Sequence, residues 1–267
     1  AMSAAELDAA CATLVAARPT AANLAYAVQR VRAAVLAGGS ALQEARAIHA
    51  EEAAASDAMA RHGADLLAGS RRVLTHCNTG ALAAPGRGTA LAAVAELSDR
   101  GGLERVLACE TRPLLQGARL TVWELQRLGI EHELIVDGAA AGLIAAGEVD
   151  AVIVGCDRVA ANGDVANKVG TYAHALAAAA TGIPFVVVGP CSTIDPSCPD
   201  GQAIEIEQRD GDEVRGVTGL GTRTAVRNPA FDVTPAKLVT ALVTERGVAR
   251  PVNAGTVAEL LGSGAAA

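Results

Sequence analysis

A cysteine and an aspartate, each just past a short apolar run, are the residues best placed to do chemistry in this chain. Cys77 follows Arg72-Val73-Leu74-Thr75-His76 and sits among Thr75, His76 and Asn78. Asp157 follows Ala151-Val152-Ile153-Val154 and Gly155, the pattern of a strand covered on both faces in a parallel sheet. A thiol and a carboxyl at two strand ends of one sheet can face each other across a small ligand and act as an acid–base pair. That requires burial to raise the carboxyl's pKa and the cleft to lower the thiol's. Proton shuttling beside a carbonyl is natural work for such a pair. Asn162, Gly163, Asp164, Asn167 and Lys168 add donors, acceptors and a cation close to Asp157, in a stretch that reads as strand, polar connection and then the start of a helix near Tyr172. Asn162-Gly163 alone is a turn; the whole stretch is dense enough in polar groups to be a site. Cys109 and Cys156 read as small buried hydrophobes. His76 reads equally as a ligand contact or as an inward-packed structural histidine.

The elements that must position these groups alternate from Leu66 onward as in a doubly wound sheet. Strands are predicted at Arg72–His76, Arg105–Cys109, His132–Val136, Ala151–Val154 and Pro184–Val188. They end in Cys77-Asn78-Thr79-Gly80, Glu110-Thr111-Arg112-Pro113, Asp137, Asp157 and Gly189-Pro190-Cys191. Polar and reactive residues thus recur at the carboxyl edge, where open α/β sheets bind ligands. Before this, residues 3–62 are alanine-rich with helical spacing, broken by Arg18-Pro19-Thr20 and Gly38-Gly39, with Pro19 expected in a first helical turn. From local sequence alone Arg18 reads as a solvated cation. Late in the chain Asp210-Gly211-Asp212-Glu213 is expected to be a solvated turn. Asn228 to Pro235 should be a rigid loop leading into a last helix over 236–244, with Thr234 as its N-cap. The expected organisation is a helical N-terminal segment (1–65), a Rossmann-like α/β domain (66–261) with a parallel sheet and helices on both faces, and a frayed tail (262–267).

A net charge of −7 with dispersed basic residues argues against a nucleic-acid surface. Aromatics make up only 2% of the chain, so the core must be built from small and branched aliphatic side chains. The six cysteines form no C-x-x-C pair, which suggests neither a zinc site nor a disulfide framework. No apolar run approaches the roughly 20 residues needed to cross a bilayer, and a soluble cytoplasmic protein without membrane contacts is expected. No dinucleotide fingerprint, nucleoside-triphosphate loop or serine-hydrolase elbow is found; Gly86-Arg87-Gly88 lacks both the third glycine and the position after a strand.

Long blocks of the chain resemble the methylthioribose-1-phosphate isomerase family. They are Leu74-Thr75-His76-Cys77-Asn78, Glu110 to Leu120, Gly155-Cys156-Asp157-Arg158 and Ala161 to Tyr172, joined by Arg18 to Leu24 and Asn228 to Pro235. The wider family includes ribose-1,5-bisphosphate isomerases and the non-catalytic regulatory subunits of the translation-initiation guanine-nucleotide exchange factor. The resemblance implies a helical N-terminal part, a Rossmann-like C-terminal domain, an aldose–ketose isomerisation in methionine salvage, a sugar-phosphate substrate and no metal or organic cofactor; a homodimer is expected. By matching motif, Asp157 would be the proton donor and Cys77 would stabilise the transition state or move a proton. Arg18, Gln116, Asn167 and Lys168 would hold the sugar phosphate. Two departures accompany it. The family's Arg-Gly-Ala phosphate motif lies upstream of the point where this chain begins, so part of the phosphate site is expected to be missing; and Cys156 stands where the family usually has alanine, with little expected effect. Alternatives are isomerisation of 5-deoxyribose 1-phosphate or ribose 1,5-bisphosphate, and a non-catalytic binding protein. Having both Cys77 and Asp157 speaks against the last.

Overall fold

A computed structural model of the chain describes residues 3–219, 221 and 223–262. Three helices open it: α1 (Ala4–Ala16), α2 (Ala22–Leu36) and α3 (Ala41–Leu66). Ser3 caps α1 in a reciprocal box with Glu6, and Ser40 caps α3 through the Gln43 N–H. The expected break at Arg18-Pro19-Thr20 is present, but Pro19 lies in the turn before α2 and not in its first helical turn.

The sheet strands and their crossover helices follow. They are β1 (Arg72–Thr75), α4 (Ala90–Asp99), β2 (Arg105–Cys109), α5 (Val122–Leu128), β3 (His132–Ile135), α6 (Ala140–Ala145) and β4 (Ala151–Val154). A hairpin comes next, β5 (Arg158–Ala160) and β6 (Val165–Lys168), then α7 (Thr171–Thr181), β7 (Phe185–Val188) and the short β8 (Ile194–Asp195). After α8 (Asp212–Thr218), the chain closes with β9 (Phe231–Thr234), β10 (Ala241–Thr244), β11 (Gly247–Ala249) and α9 (Ala254–Gly262).

Seven strands form one sheet in the order β11-β10-β7-β4-β1-β2-β3, parallel except for the β10–β11 hairpin at one edge. The side-chain alternation of each strand feeds two cores. Leu74, Val152, Val154 and Val187 pack with Ala140, Ile144, Ala175, Ala178 and Leu260 of α6, α7 and α9 on one face. Val73, Ile153, Val186 and Val243 pack with α4, with Leu125 of α5 and with Ala55, Met59 and Ala64 of α3 on the other. Burying each branched side chain contributes about 1.5–3 kcal/mol. Here that comes almost wholly from Ala, Val, Leu and Ile. The Rossmann-like sheet with helices on both faces, preceded by helices, is the predicted fold. From β1 the chain runs to β2 and β3 on one side, then returns to β4, β7 and β10 on the other. The switch point is therefore between β1 and β4.

Three expectations are corrected. Asn167 and Lys168 lie on a strand, β6, where a polar connection was expected, and the helix expected to start near Tyr172 follows as α7; β6 belongs to a second sheet, β8-β5-β6-β9, with the Asn162-Gly163 turn joining β5 to β6. The last helix expected over 236–244 is a single helical turn, Ala236–Leu238, followed by strand β10. Leu242 and Val243 there are fully buried and present both faces to the cores, which a strand allows. Thr234 closes β9 and caps nothing. Finally, the solvated turn expected at Asp210 to Glu213 holds only in part: Asp210 and Asp212 are exposed, but Asp212 also opens α8, and the partly buried Glu213 accepts from Arg209 and Asn228. Gly262 ends α9, and the remainder of the predicted frayed tail lies outside the described residues. No helix among the described residues is long and apolar enough to cross a membrane.

Candidate active site

Cys77 and Asp157 follow the two strands that flank the switch point. β1 and β4 are hydrogen-bonded neighbours, Val73 opposite Ala151 and Leu74 opposite Val152, so both residues leave the carboxyl edge side by side. In open α/β sheets the crevice at that point is where ligands bind.

Each backbone is held from several directions. Cys77 adopts a left-handed conformation (φ 67°), its N–H donating to Thr111 Oγ1 at 2.9 Å and its carbonyl accepting from Thr121 Oγ1 at 2.6 Å. Thr111 is left-handed too (φ 65°), and Asp137 accepts both its N–H and that of Arg112, at 2.8 and 2.7 Å. Such non-glycine outliers cost about 1–3 kcal/mol each and persist only where the surroundings over-determine them. Asp157 donates its N–H to Ala166 of β6 and accepts from Ala22 at the start of α2. Its neighbour Arg158 grips the carbonyls of Thr20 and Pro19 at 2.9 and 3.1 Å while paired with Asp195. That grip docks the Arg18-Pro19-Thr20 turn over the sheet edge.

Arg18 consequently reaches the acid, its Nη2 4.0 Å from Asp157 Oδ1, with its Nε 3.4 Å from Glu207. Lys168 projects from β6 with its Nζ 4.9 Å from the centroid of the Phe231 ring, over which the Arg18 guanidinium also lies, at 5.7 Å. The two cations thus share one ring, a favourable contact for each. Gln116 lies beside the Cys77 thiol, whose pKa it helps to lower, and leaves its own Oε1 buried without a partner. Asn167 is turned the other way: as its strand alternates, its side chain leaves the face that carries Lys168 and donates to Thr171 Oγ1 at the start of α7. Of the six residues singled out from sequence, the structure gathers Asp157, Cys77, Lys168, Arg18 and Gln116, while Asn167 faces the α7 terminus.

Electrostatics set the two reactive groups apart. Burial pushes the Asp157 carboxyl up to about 6; Arg18 and Lys168 oppose the rise and Glu207 adds to it. The carboxyl half of the predicted acid–base pair therefore behaves as expected. The thiol half does not: burial, then the Asp157 charge, push Cys77 up to about 11, outweighing the Asn78 N–H, Lys168 and Gln116. Cys77 is a neutral thiol at physiological pH, not the thiolate that a cation-lined cleft suggested. Burial lowers the Lys168 pKa, against Cys77 and Asp157. Cys109 and Cys156 are also raised, first by burial, Cys156 to about 12, in keeping with inert packing.

His76 is the structural histidine of the two alternatives, 1% exposed, donating Nε2–H to the Val169 carbonyl at 2.9 Å. It packs edge-on against His174, which with Cys109 completes a buried group of metal-ligating types. Nε2 of His76 is already committed to Val169, and the group reads as core packing. A cavity of about 850 Å³ lies between α2, α3 and the 191–197 loop. Its arginines are tied to carboxylates, Arg30 to Glu51 and Arg158 to Asp195, and it holds neither the thiol nor the acid. The thiol and the acid stand at the switch point instead.

Sequence reasoning missed Glu207, Thr111, Arg158 as a clamp, and Phe231. The Asn228 to Pro235 block was the available signal for Phe231, and the left-handed Thr111 carries no sequence mark. The close approach behind this loop is visible at Gly117, which begins a π-helical turn, Gly117–Thr121, and where a Cβ would overlap the Cys109 carbonyl oxygen. Gly117→Ala should destabilise the fold by about 1–3 kcal/mol, the usual cost of forced overpacking. Urea unfolding measures this, and a neutral substitution would show that the turn gives way freely.

Fold and site define an α/β protein with a Rossmann-like sheet whose switch-point crevice gathers a near-neutral acid, a thiol and two cations. The chain belongs to the initiation factor 2 subunit family, whose sequence profile matches residues 3–251. It is 53% identical over 252 residues to a methylthioribose-1-phosphate isomerase of Syntrophotalea carbinolica, covering 90% of this chain and 73% of that protein. It is 50% identical over 273 residues to a 5-deoxyribose 1-phosphate isomerase of Moorella thermoacetica, covering 96% and 77%. Among solved structures, 5-methylthioribose 1-phosphate isomerase from Pyrococcus horikoshii superposes with a TM-score of 0.86 at 40% identity, over 96% of this chain and 74% of that one. Translation initiation factor eIF-2B, subunit delta, from A. fulgidus gives 0.80 at 40% identity, over 96% and 78%.

Proposed function

We propose that this chain is an aldose–ketose isomerase, converting S-methyl-5-thio-α-D-ribose 1-phosphate to S-methyl-5-thio-D-ribulose 1-phosphate in methionine salvage. The observation that carries the reading is the pairing, at adjoining strand ends, of an Asp157 carboxyl moved to about 6 with a neutral Cys77 thiol beside two cations. The names of the relatives supply the substrate.

Phosphate on C1 locks the sugar ring, so the C1–ring-oxygen bond must open with the phosphate retained. The ring oxygen then needs a proton, which Asp157 holds in its raised, protonated form. As hydrogen passes from C2 to C1, the C2 hydroxyl loses its proton and becomes the ketone. Cys77, facing Asp157 across the crevice, is placed to steady the charge that develops there or to relay that proton. Lys168 and Arg18 hold the phosphate, charge-assisted partners for its oxygens; Gln116 adds a sugar-phosphate contact, while Asn167, bonded to Thr171, supports the β6–α7 junction beside them. No metal or organic cofactor enters this scheme. A cytoplasmic location, suggested by six cysteines without a C-x-x-C pair, and a homodimer belong to the same reading.

The 50% identity to the Moorella thermoacetica protein supports a second reading, with 5-deoxyribose 1-phosphate as substrate; the two sugars differ only at C5. Incubating the purified chain with each sugar and following ketose formation by NMR decides between them. The methylthio sugar should turn over with the higher kcat/KM, and a preference for the deoxy sugar would transfer the assignment. Binding of both sugars without turnover would instead favour a non-catalytic subunit.

Lys168→Ala and Arg18→Ala should each weaken phosphate-ligand binding by about 1.5–3 kcal/mol, the scale of one charge-assisted hydrogen bond. Calorimetry with inorganic phosphate or a sugar phosphate measures it, and unchanged affinity in both variants removes these residues from the phosphate site.

A further inference from the structure

Glu207 touches neither the thiol nor the carboxyl oxygens, yet it is the best-anchored charge in the site. Its N–H donates to Thr20 Oγ1 at 3.2 Å, and its Oε1 accepts from Arg209 Nη1 at 2.7 Å. Arg209 in turn binds Glu213 Oε1 through Nε and Nη2, at 2.8 and 2.6 Å, and Glu213 Oε2 accepts from Asn228 Nδ2 at 3.1 Å. The remaining oxygen, Oε2, is buried and, among the described residues, has no hydrogen bond; it pairs with Arg18 Nε at 3.4 Å. Arg18 is the most exposed member of this set, its side chain 48% exposed against 12% for Glu207. It stands between two carboxylates and is fully bonded to neither.

We infer that Glu207 is a positioning residue for the proposed isomerisation, holding Arg18 back from Asp157 so that the guanidinium stays available to the substrate's anionic group. The inference rests on the proposed function for the identity of that anion. A guanidinium and a carboxylate left alone at 4 Å close into a bidentate pair. That pair would occupy the phosphate's donors and hold the acid in its ionised form. By pairing with Nε, Glu207 opposes this collapse, and the Phe231 ring, 5.7 Å from the guanidinium carbon, gives Arg18 a further contact.

The charged groups facing Asp157 are Arg18 from the α1–α2 turn, Lys168 from β6 and Glu207 from the segment after Ile204, with the Cys77 and Cys156 thiols beside it. Those facing Glu207 are Arg18, Arg209 and Asp157. Glu207 contributes to the raised position of the acid, so removing its charge must lower the Asp157 pKa, and Arg18 closing in lowers it further.

The test uses the whole chain with Glu207→Gln and the charge-keeping Glu207→Asp. Asp157 is titrated by its carboxyl ¹³C resonance, inorganic phosphate binding is measured by calorimetry, and KM and kcat are determined for the sugar phosphate. In Glu207→Gln the titration should move to lower pH, by about half a unit for one screened charge. Phosphate affinity should fall about fivefold to tenfold, with KM rising more than kcat falls. Glu207→Asp keeps the charge but its shorter side chain no longer reaches Arg18, so the titration should move to lower pH by less than in Glu207→Gln and part of the affinity should be lost. It carries the test by itself if the Gln variant fails to fold. Unchanged titration and unchanged phosphate affinity in a folded Gln variant, or unchanged affinity in Glu207→Asp, overturn the inference. Absence of turnover by the unaltered chain would refute the isomerase reading instead, while the titration and phosphate arms still decide the role of Glu207.

Discussion

Asp157→Asn is expected to abolish isomerisation while making the protein more stable at neutral pH. The loss of rate should be on the order of 10²–10⁴, the contribution of a positioned general acid, with the sugar phosphate still bound through Lys168 and Arg18. The gain in stability follows from the direction of the pKa shift. The folded-state carboxyl sits at about 6 against a usual 3.8, so between those values the folded chain holds a proton that the unfolded chain has released. Stability therefore falls as pH rises through that window, and above it the whole penalty is present. Two pKa units correspond to about 3 kcal/mol; with the side chain 25% exposed to water, a gain on the order of 2 kcal/mol is expected in the Asn variant. Urea unfolding at pH 4 and pH 7 checks it: the variant should match the unaltered protein at the lower pH and exceed it at the higher. An active Asn variant, or one destabilised at pH 7, would contradict both the role and the electrostatics.

Cys77→Ser is the second large effect. The φ of 67° and the bonds from its N–H and carbonyl belong to the backbone, so serine fits the same place with little change in stability. The hydroxyl is a harder, far weaker acid than a thiol at about 11, and turnover should fall about 10²-fold or more if the thiol relays a proton. Because that thiol is neutral at pH 7, iodoacetamide should label Cys77 slowly there and faster as pH approaches 11, and bound sugar phosphate should slow the labelling further. Rapid labelling at pH 7 would mean a thiolate, and a fully active Ser variant would exclude Cys77 from the chemistry.

The strands carrying the site were legible in sequence because each is a short run of Val, Ile, Leu and Ala ended by polar residues. β2 and β4 begin and end where the apolar pattern does. The second sheet was not, because Arg158–Ala160 and Val165–Lys168 are too short for periodicity to register and their pairing with Phe231–Thr234 is remote in the chain. The same holds for 236–244, where a helical start signal at Thr234-Pro235 is overridden by a buried slot beside β7. In the site, reactive residue types and strand-end positions pointed to Asp157, Cys77 and Lys168. Arg18 needed the family resemblance, since only the Arg158 clamp brings its turn to the acid. The sign of the Cys77 shift was out of reach, because it depends on how far burial outweighs a nearby lysine.

The central claim is that burial at the switch point moves the Asp157 carboxyl to about 6 so that it can give up a proton during isomerisation. A sugar phosphate itself titrates near 6, so the carboxyl must be followed directly. The decisive measurement is the ¹³C titration of Asp157 in the ligand-free chain, set beside the pH dependence of kcat/KM for methylthioribose 1-phosphate. A carboxyl midpoint near 6, with kcat/KM falling as pH rises through it and turnover lost in Asp157→Asn, is the predicted result. A midpoint near the ordinary 3.8, or turnover that persists in the Asn variant, would contradict the account.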